Sequence, residues 1–319
     1  MYRKRAERKG TTISTLGYLG IDIGGTKVAL RVLDDTGEEP AEDTFRWPEA
    51  RDPAADLELL ADRVRALLAR GPGVKGVGIA LPAICDPAGT VLTWPGRPSW
   101  TGLDLTAAWD GMLPGVPVVR ADDGDLAALA EARAAGCPNV LYLGVGTGVG
   151  GGVVHGGRLW PGPERGSCEI GHLVVDLSGP RCDCGRTGCV QGVASGPATL
   201  RRAAALRGRS VDFPELTAAV RAGETWATTA VDAGARALAA AVTGVAELAR
   251  PDLAVVGGGF GMGVPGYVAT VAARVRELAR PGVAPVPVVP AALEGLSSLY
   301  GAVHLARDTF GPAPAPAPR

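Results

Sequence analysis

Three cysteines fall within eight residues, Cys182-x-Cys184-x4-Cys189, and His172 lies ten residues before the first of them. One imidazole and three thiolates are a complete tetrahedral donor set for Zn2+, and Gly185 and Gly188 permit the tight turns that such short spacing demands. A closed Cys3His set leaves no open position for substrate. The implied ion is therefore structural, fixing the loop that carries His172 and the neighbouring Glu169. Glycine turns form a second group. In Asp22-Ile23-Gly24-Gly25-Thr26-Lys27, paired glycines let the backbone approach a phosphate and turn N–H groups toward its oxygens. Asp22 can hold a Mg2+-bound water there, while Thr26 and Lys27 can meet phosphate oxygens. Gly146-Thr147-Gly148-Val149-Gly150 and Gly257-Gly258-Gly259 follow two further apolar runs. One such turn is ordinary; three at strand ends suit a nucleotide lying across a cleft. A third group is Asp122-Asp123-Gly124-Asp125 at the start of an Ala-rich segment. Helix capping explains one or two of these acids, with Asp125 the expected cap. A carboxylate just after a strand, facing a phosphate-binding cleft, is also where phosphoryl transfer needs its base.

The segments around these groups read as alternating strands and helices. Strands are expected at residues 18–23, 27–33, 74–81, 116–119, 140–145, 151–154 and 253–256. Turn chemistry at 34–37 closes the second of them. Helices are expected at 57–68, 125–135 and roughly 194–206, 211–222 and 227–249, and a long loop rich in Pro, Gly and Trp at 82–101. The turns after Ile21 and Val145 look like two copies of one strand–turn–strand device. The chain thus predicts a two-domain α/β architecture with a cleft between similar halves. The expected division is a basic tail at 1–17, a small domain at 18–121 completed by a helix near 298–310, a large domain with the zinc loop at 122–297, and a Pro/Ala tail at 311–319. Gly146–Gly151 also matches G-x-G-x-x-G, but that fingerprint should open a helix, and the β-like Gly152-Val153-Val154 follows. No Walker A motif is present.

At 319 residues the chain exceeds a single compact core. Its 32 basic and 33 acidic residues give no electrostatic reason to expect a nucleic-acid or membrane partner. No run approaches the ~18 apolar residues of a membrane span. No apolar signal core follows the basic start at Arg3, Lys4, Arg5, Arg8 and Lys9, so a cytoplasmic protein with reduced thiols is expected. Cys85, Cys137 and Cys168 are expected to be buried small hydrophobes.

From residue 19 to about 306 these motifs together resemble the ROK sugar kinases (repressor, open reading frame, kinase). Asp22-x-Gly-Gly-Thr-Lys resembles the family's first phosphate loop, 143–152 the second, and 256–259 the adenosine motif. Gly166-Ser-Cys-Glu169-Ile-Gly-His172 with the cysteine cluster resembles its zinc signature. The resemblance implies an actin-like ATPase (ribonuclease-H-like) fold in both domains, closure on sugar, and a homodimer. It implies Asp123 as the base that deprotonates the sugar 6-hydroxyl. Asp122, Glu169, His172, Gln191 and Gly96 would contact sugar, with His172 also binding zinc through its other ring nitrogen. MgATP would lie on Asp22, Gly24, Gly25, Thr26, Lys27, Gly146, Thr147, Gly148, Gly257, Gly258 and Gly259. Family repressors carry an N-terminal helix-turn-helix of several dozen residues, against about 17 residues here before the first strand; a sugar-sensing regulator is the non-enzyme alternative.

Departures from the family pattern bear on the sugar. Family glucokinases usually read Asn-Asp-Ala-Asn where this chain has Asp122-Asp123-Gly124-Asp125, and often Glu where it has Gln191. The family's Pro-Gly is Pro82-Ala83 here. The family Asn at position 122 bonds hydroxyls near C3 and C4. An Asn donates and accepts, whereas an Asp only accepts and favours above all an ammonium. The expected substrate is therefore an aminosugar with nitrogen at C3, kanosamine, an intermediate of antibiotic biosynthesis. Glucose and an N-acetylhexosamine are the alternatives.

Overall fold

The computed structural model describes residues 16–34, 41–49, 52–71 and 73–312; nearly all of the expected basic tail, most of the 34–37 turn and most of the Pro/Ala tail lie outside them. The first sheet contains β1 (Leu16–Ile23), β2 (Lys27–Asp34), β3 (Ala41–Arg46), β4 (Gly73–Ala80) and, after a short β5–β6 hairpin (Ile84–Cys85, Val91–Thr93), β7 (Val118–Ala121). Its order is β3-β2-β1-β4-β7. The second contains β8 (Val140–Val145), β9 (Val149–His155), β10 (Arg158–Trp160), β11 (Leu253–Gly257) and β12 (Val288–Pro290), in the order β10-β9-β8-β11-β12. In both, three antiparallel strands continue into a parallel pairing across the first strand. The two halves therefore repeat one topology, as the paired glycine turns lead one to expect, in the actin-like arrangement that the family resemblance implies. The central strands β1 and β8 are apolar on both faces because each is covered on both faces.

Helices clothe these sheets. In the first half α1 (Pro53–Leu68) starts with Asp52 accepting from Ala54 N and with Pro53 at its first position, where a missing N–H costs nothing. Its Leu60, Val64 and Leu67 meet Leu19, Ile21, Leu30 and Ile79 in one core. In the second half α7 (Thr225–Ala249) and α9 (Tyr267–Glu277) bury Leu238, Val242 and Val271 against Leu141, Leu143 and Val256. The remaining helices are α2 (Leu105–Met112), α3 (Asp123–Ala134), α4 (Val190–Ala194), α5 (Gly196–Arg207), α6 (Phe213–Arg221), α8 (Gly259–Gly263) and α10 (Ser297–Phe310). The expected helix at 194–206 is broken from α4 by Ser195, whose hydroxyl accepts from Ala198 N to start α5 afresh. The 82–101 loop contains the β5–β6 hairpin and a 3-10 turn.

The two halves meet through α3 and α10. Helix α3 lies on β8 and β9, α10 lies on β1 and β4, and the two helices pack on each other. Glycines set the spacing. A Cβ at Gly78 would stand 1.9 Å from the Ala302 carbonyl oxygen, and one at Gly301 would stand 1.9 Å from that of Leu126. The buried Glu131 of α3 accepts from Ala292 N (2.8 Å), Leu293 N (3.2 Å) and Ser297 Oγ (2.7 Å), pinning the chain as it enters α10. Around this seam Ala80, Leu126, Leu129, Tyr142, Val255, Ala302 and Leu305 form a core shared by both sheets.

Replacing a helical glycine by alanine normally stabilises by about 1 kcal/mol. Gly244→Ala in α7, where nothing lies within 4 Å of the added methyl, should follow that rule. Gly301→Ala should instead destabilise by about 3 kcal/mol through overpacking. Urea denaturation of the two variants, compared at matched m-values, checks the contrast.

Candidate active site

Between the two sheets lies an open cavity of about 1350 Å3. Its wall brings together Gly25, Gly96, Asp122, Asp123, Gly146, Thr147, Gly148, Glu169, His172, Gln191, Gly258 and Gly259 from the residues expected by sequence. Asp22, Gly24, Thr26, Lys27 and Gly257 are not part of that wall. Thr26 and Lys27 are solvent-exposed where β2 begins. Asp22 sits just behind the wall, its Oδ2 accepting from Ser298 Oγ at 2.7 Å, and Ser298 itself lines the cavity.

The acidic group stands at the β7–α3 junction. Strand β7 ends at Ala121, and Asp122, with ψ of 147°, is still extended. Asp122, not Asp125, is therefore the helix cap: its Oδ1 accepts from Gly124 N at 2.9 Å. Asp125, in the first turn of α3, borders the cavity at only 4% exposure, and its Oδ1 has no hydrogen-bond partner among the described residues. Burial pushes the Asp122 carboxyl up to about 7, helped by the charges of Asp125 and Glu169 and opposed by the capping N–H groups. Burial, then the Asp122 and Asp22 charges, raise Asp123 to about 7 as well. Asp125 is raised to about 7 by burial and by Glu169 and Asp123, against a hydrogen bond from the Cys168 backbone. Like charges in a recessed site cannot all ionise without an opposing charge. The arrangement thus stores an affinity for a cation or for protons.

The glycine turns are held from behind. Gly24 N–H donates to Lys27 O at 2.9 Å, closing the first turn, and Gly146 N–H donates to Gly148 O at 2.9 Å in the second. Gln191 lines the cavity, but its Oε1 accepts from Val149 N at 3.1 Å, so its carbonyl braces the second turn. Gly146, Gly150 and Gly259 line the cavity with open space where a Cβ would project. That open backbone fits phosphate and nucleoside groups. Gly25 and Gly96 are in backbone contact; a Cβ on Gly25 would lie 2.8 Å from the Gly96 carbonyl oxygen.

His172, Cys182, Cys184 and Cys189 converge as the sequence predicts, their ligand atoms all within 4.8 Å of one another. His172 Nδ1 lies 3.7 Å from Cys182 Sγ, and Cys184 Sγ lies 3.6 Å from Cys189 Sγ. Those separations match the edge of a tetrahedron with metal–sulfur bonds of ~2.3 Å, so the donor set fits Zn2+. Gly188, at φ +76°, brings the chain against Asp176, whose carbonyl oxygen would be 1.6 Å from any Cβ there. Because Nδ1 faces the cysteines, the ring's Nε2 is the nitrogen left for other partners.

Sequence reasoning missed Ser297 and Ser298, whose approach to the cavity depends on α10 folding back across more than 160 residues. It also took Cys85, Cys137 and Cys168 as buried hydrophobes. All three are half-exposed, and Cys85 and Cys168 line the cavity, with Cys168 Sγ donating to Trp160 O at 3.0 Å. Asp125 was legible as an acid but not as an inward-facing one.

Comparison with known proteins places this geometry. A kanosamine kinase of Amycolatopsis mediterranei (strain S699) is 53% identical over 91% of this chain and 95% of its own. The crystal structure of a ROK hexokinase from Thermus thermophilus superposes with a TM-score of 0.81 at 31% identity, covering 91% of this chain and 98% of its own. A ROK family glucokinase from Streptomyces griseus, solved in complex with glucose and AMPPNP, gives 0.72 at 28% identity over 92% and 99%. The ROK family pattern matches residues 18–309, and with this match and the similarity of sequence and fold, the chain belongs to the ROK family.

Proposed function

We propose that this ROK sugar kinase transfers the γ-phosphoryl group of MgATP to the 6-hydroxyl of kanosamine, 3-amino-3-deoxy-D-glucose. The observation that carries the sugar is the acidic group at the start of α3. Asp122 sits where a carboxamide would suit a neutral hydroxyl, and the charges that weigh on it are those of Asp125 and Glu169. An ammonium on C3 relieves that repulsion and gives Asp122 a cationic donor beside the Gly124 N–H it already accepts from. The similarity to a kanosamine kinase supports the same choice.

In this mechanism Asp123 accepts the proton of the 6-hydroxyl as O6 bonds to the γ-phosphorus and the bond to the β-phosphate oxygen breaks, releasing ADP. Mg2+, arriving with ATP, would neutralise developing phosphate charge, and Asp22, just behind the wall at Ser298, is the carboxylate that would order its water shell. Glu169 and His172 Nε2 orient the sugar hydroxyls from the zinc loop, and Gly96 bounds the pocket opposite. Gly146–Gly148 and Gly257–Gly259 receive the nucleotide, while Gly25 serves its terminal phosphates. His172, Cys182, Cys184 and Cys189 would hold Zn2+ as a structural ion that fixes the sugar-facing loop, leaving bond making to the carboxylates and the nucleotide. Residues 18–121 with α10 act as one lobe, 122–297 as the other, and the lobes close on substrate. The protein pairs as a homodimer through the apolar groove beside the zinc loop, where Trp160, Leu173 and Leu248 are exposed.

A paired ammonium–carboxylate contributes roughly 2 to 4 kcal/mol of discrimination, so Asp122→Asn should lower the kanosamine-to-glucose ratio of kcat/KM by about 30-fold or more. An unchanged ratio removes the charge pair. Asp122 also has a folded-state pKa raised to about 7. Its stabilising contribution is full below pH 4 and is lost as pH rises through 7. Differential scanning calorimetry should therefore find ligand-free Asp122→Asn more stable than wild type at pH 8, by on the order of 1 kcal/mol, and indistinguishable near pH 3.

The base must be unprotonated to act, and Asp123 is raised to about 7. With glucose, which carries no titrating amine, log kcat/KM should rise with pH below about 7 and level above it. Asp123→Asn should lower kcat about 1,000-fold while sugar binding, measured by calorimetry, persists.

Metal analysis should find about one zinc per chain. Stripping it should weaken sugar binding on the order of tenfold and leave AMPPNP binding nearly unchanged. Equal loss of both would give the ion a global role instead.

A further inference from the structure

The first glycine turn is braced by a side chain that its own motif does not contain. Trp47, just beyond β3, reaches back so that its indole Nε1–H donates to Gly24 O at 2.8 Å, and its backbone N–H donates to Thr26 O at 3.2 Å. The bond to Gly24 O sets an orientation as well as a position. The Gly24–Gly25 peptide is trans and planar, so its carbonyl and the Gly25 N–H point in opposite directions. Holding the carbonyl on the indole turns the Gly25 N–H away from it, at a residue that lines the cavity. A glycine pair is the part of the chain freest to rotate that peptide by coupled changes in ψ and φ. A fixed donor removes that freedom.

Trp47 is itself locked. It is 7% exposed, edge-on to Phe45 at 5.4 Å and to Trp100 at 5.8 Å between ring centroids. The Arg97 guanidinium lies 5.0 Å over its ring. Arg97 is fully enclosed and forms a two-pronged ion pair with Asp56, which also accepts from Trp100 Nε1 at 2.9 Å. Arg97 follows Gly96, whose backbone touches Gly25. The same buried assembly therefore supports both the indole that holds the Gly24 carbonyl and the strip of backbone at Gly96 that meets Gly25.

We propose that Trp47 is a positioning residue for phosphoryl transfer, its indole N–H aiming the Gly25 amide at the terminal phosphates of ATP. This rests on the assignment of Gly24-Gly25 as a phosphate loop. Trp47→Phe keeps the ring packing and deletes the donor; 3-benzothienylalanine at position 47 replaces only the N–H by sulfur and serves if the phenylalanine variant fails to fold. Trp47→His retains a ring N–H. The expected result is a rise in the KM for ATP of about 10-fold for the donor-less variants, with the sugar KM within twofold of wild type and the unfolding temperature little changed. Trp47→His should recover part of the loss. An unchanged ATP KM, an equal rise in both KM values, or identical behaviour of the His and Phe variants would overturn the proposal. Hydrogen exchange of the segment spanning residues 22–28, with and without AMPPNP, separates the two layers. No protection in wild type removes the phosphate-loop assignment itself. Equal protection in wild type and Trp47→Phe removes only the role of Trp47.

Discussion

Carboxylates crowded into one recess are the constraint around which the rest of this protein is arranged. Asp122, Asp123 and Asp125 enter the cavity region within four residues at the end of β7, Asp22 approaches from β1 of the same sheet and Glu169 from the loop beside the His/Cys cluster. Bringing like charges together is unfavourable, and a fold maintains such a cluster only when the backbone leaves it no alternative. Here β7 runs directly into α3, and Asp122 is committed to the helix cap. Asp125 is turned inward by the helical phase, and a Cβ on Gly152 would lie within 2.8 Å of its Oδ1. Under the proposed function, that repulsion is relieved by what the pocket receives: protons in the ligand-free protein, a metal-bound nucleotide and a cationic sugar in the working one. Selectivity and weakened empty-state stability then share one origin.

The seam between the halves explains how such a cluster is held to a fixed geometry. Glycines at 78 and 301 let backbone meet backbone, a contact with little freedom to deform. Glu131 anchors the entry to α10, and the same helix start carries Ser297 and Ser298 to the cavity. The residues that order Asp22 therefore follow α10, which itself packs against the helix bearing Asp123. Asp22 and Asp123, to which the proposed function gives the metal and the hydroxyl, are thus tied to one pair of packed helices.

What the sequence revealed and what it hid divides along a physical line. The converging His and Cys donors and the glycine turns could be read because their partners lie close in the chain, and local spacing alone constrains them. The central strands could be read because burial on both faces leaves an uninterrupted apolar run. Edge strands β3 and β10, short and mixed in polarity, carry no such signal. The cap of α3 was misassigned by three residues, since the decision rests on where β7 stops and not on the type of acid present. The Ser298–Asp22 and Trp47–Gly24 bonds, spanning 276 and 23 residues, exist only once the topology has closed.

The repeated strand order has a further consequence. Two sheets of equivalent topology face the cavity with equivalent hairpins, β1–β2 and β8–β9, each ending in a glycine turn. Such a frame is close to symmetric, yet the reaction runs in one direction, from a nucleotide to a sugar. The polarity comes from what each half inserts. The first interposes the tryptophan-rich segment and its hairpin between β4 and β7; the second interposes the zinc loop and a layer of helices between β10 and β11. The duplicated scaffold supplies a vice with matching jaws, and the insertions decide which end grips donor and which grips acceptor. A change of acceptor can accordingly be made in the insertions and the first turn of α3 while the duplicated frame stays as it is.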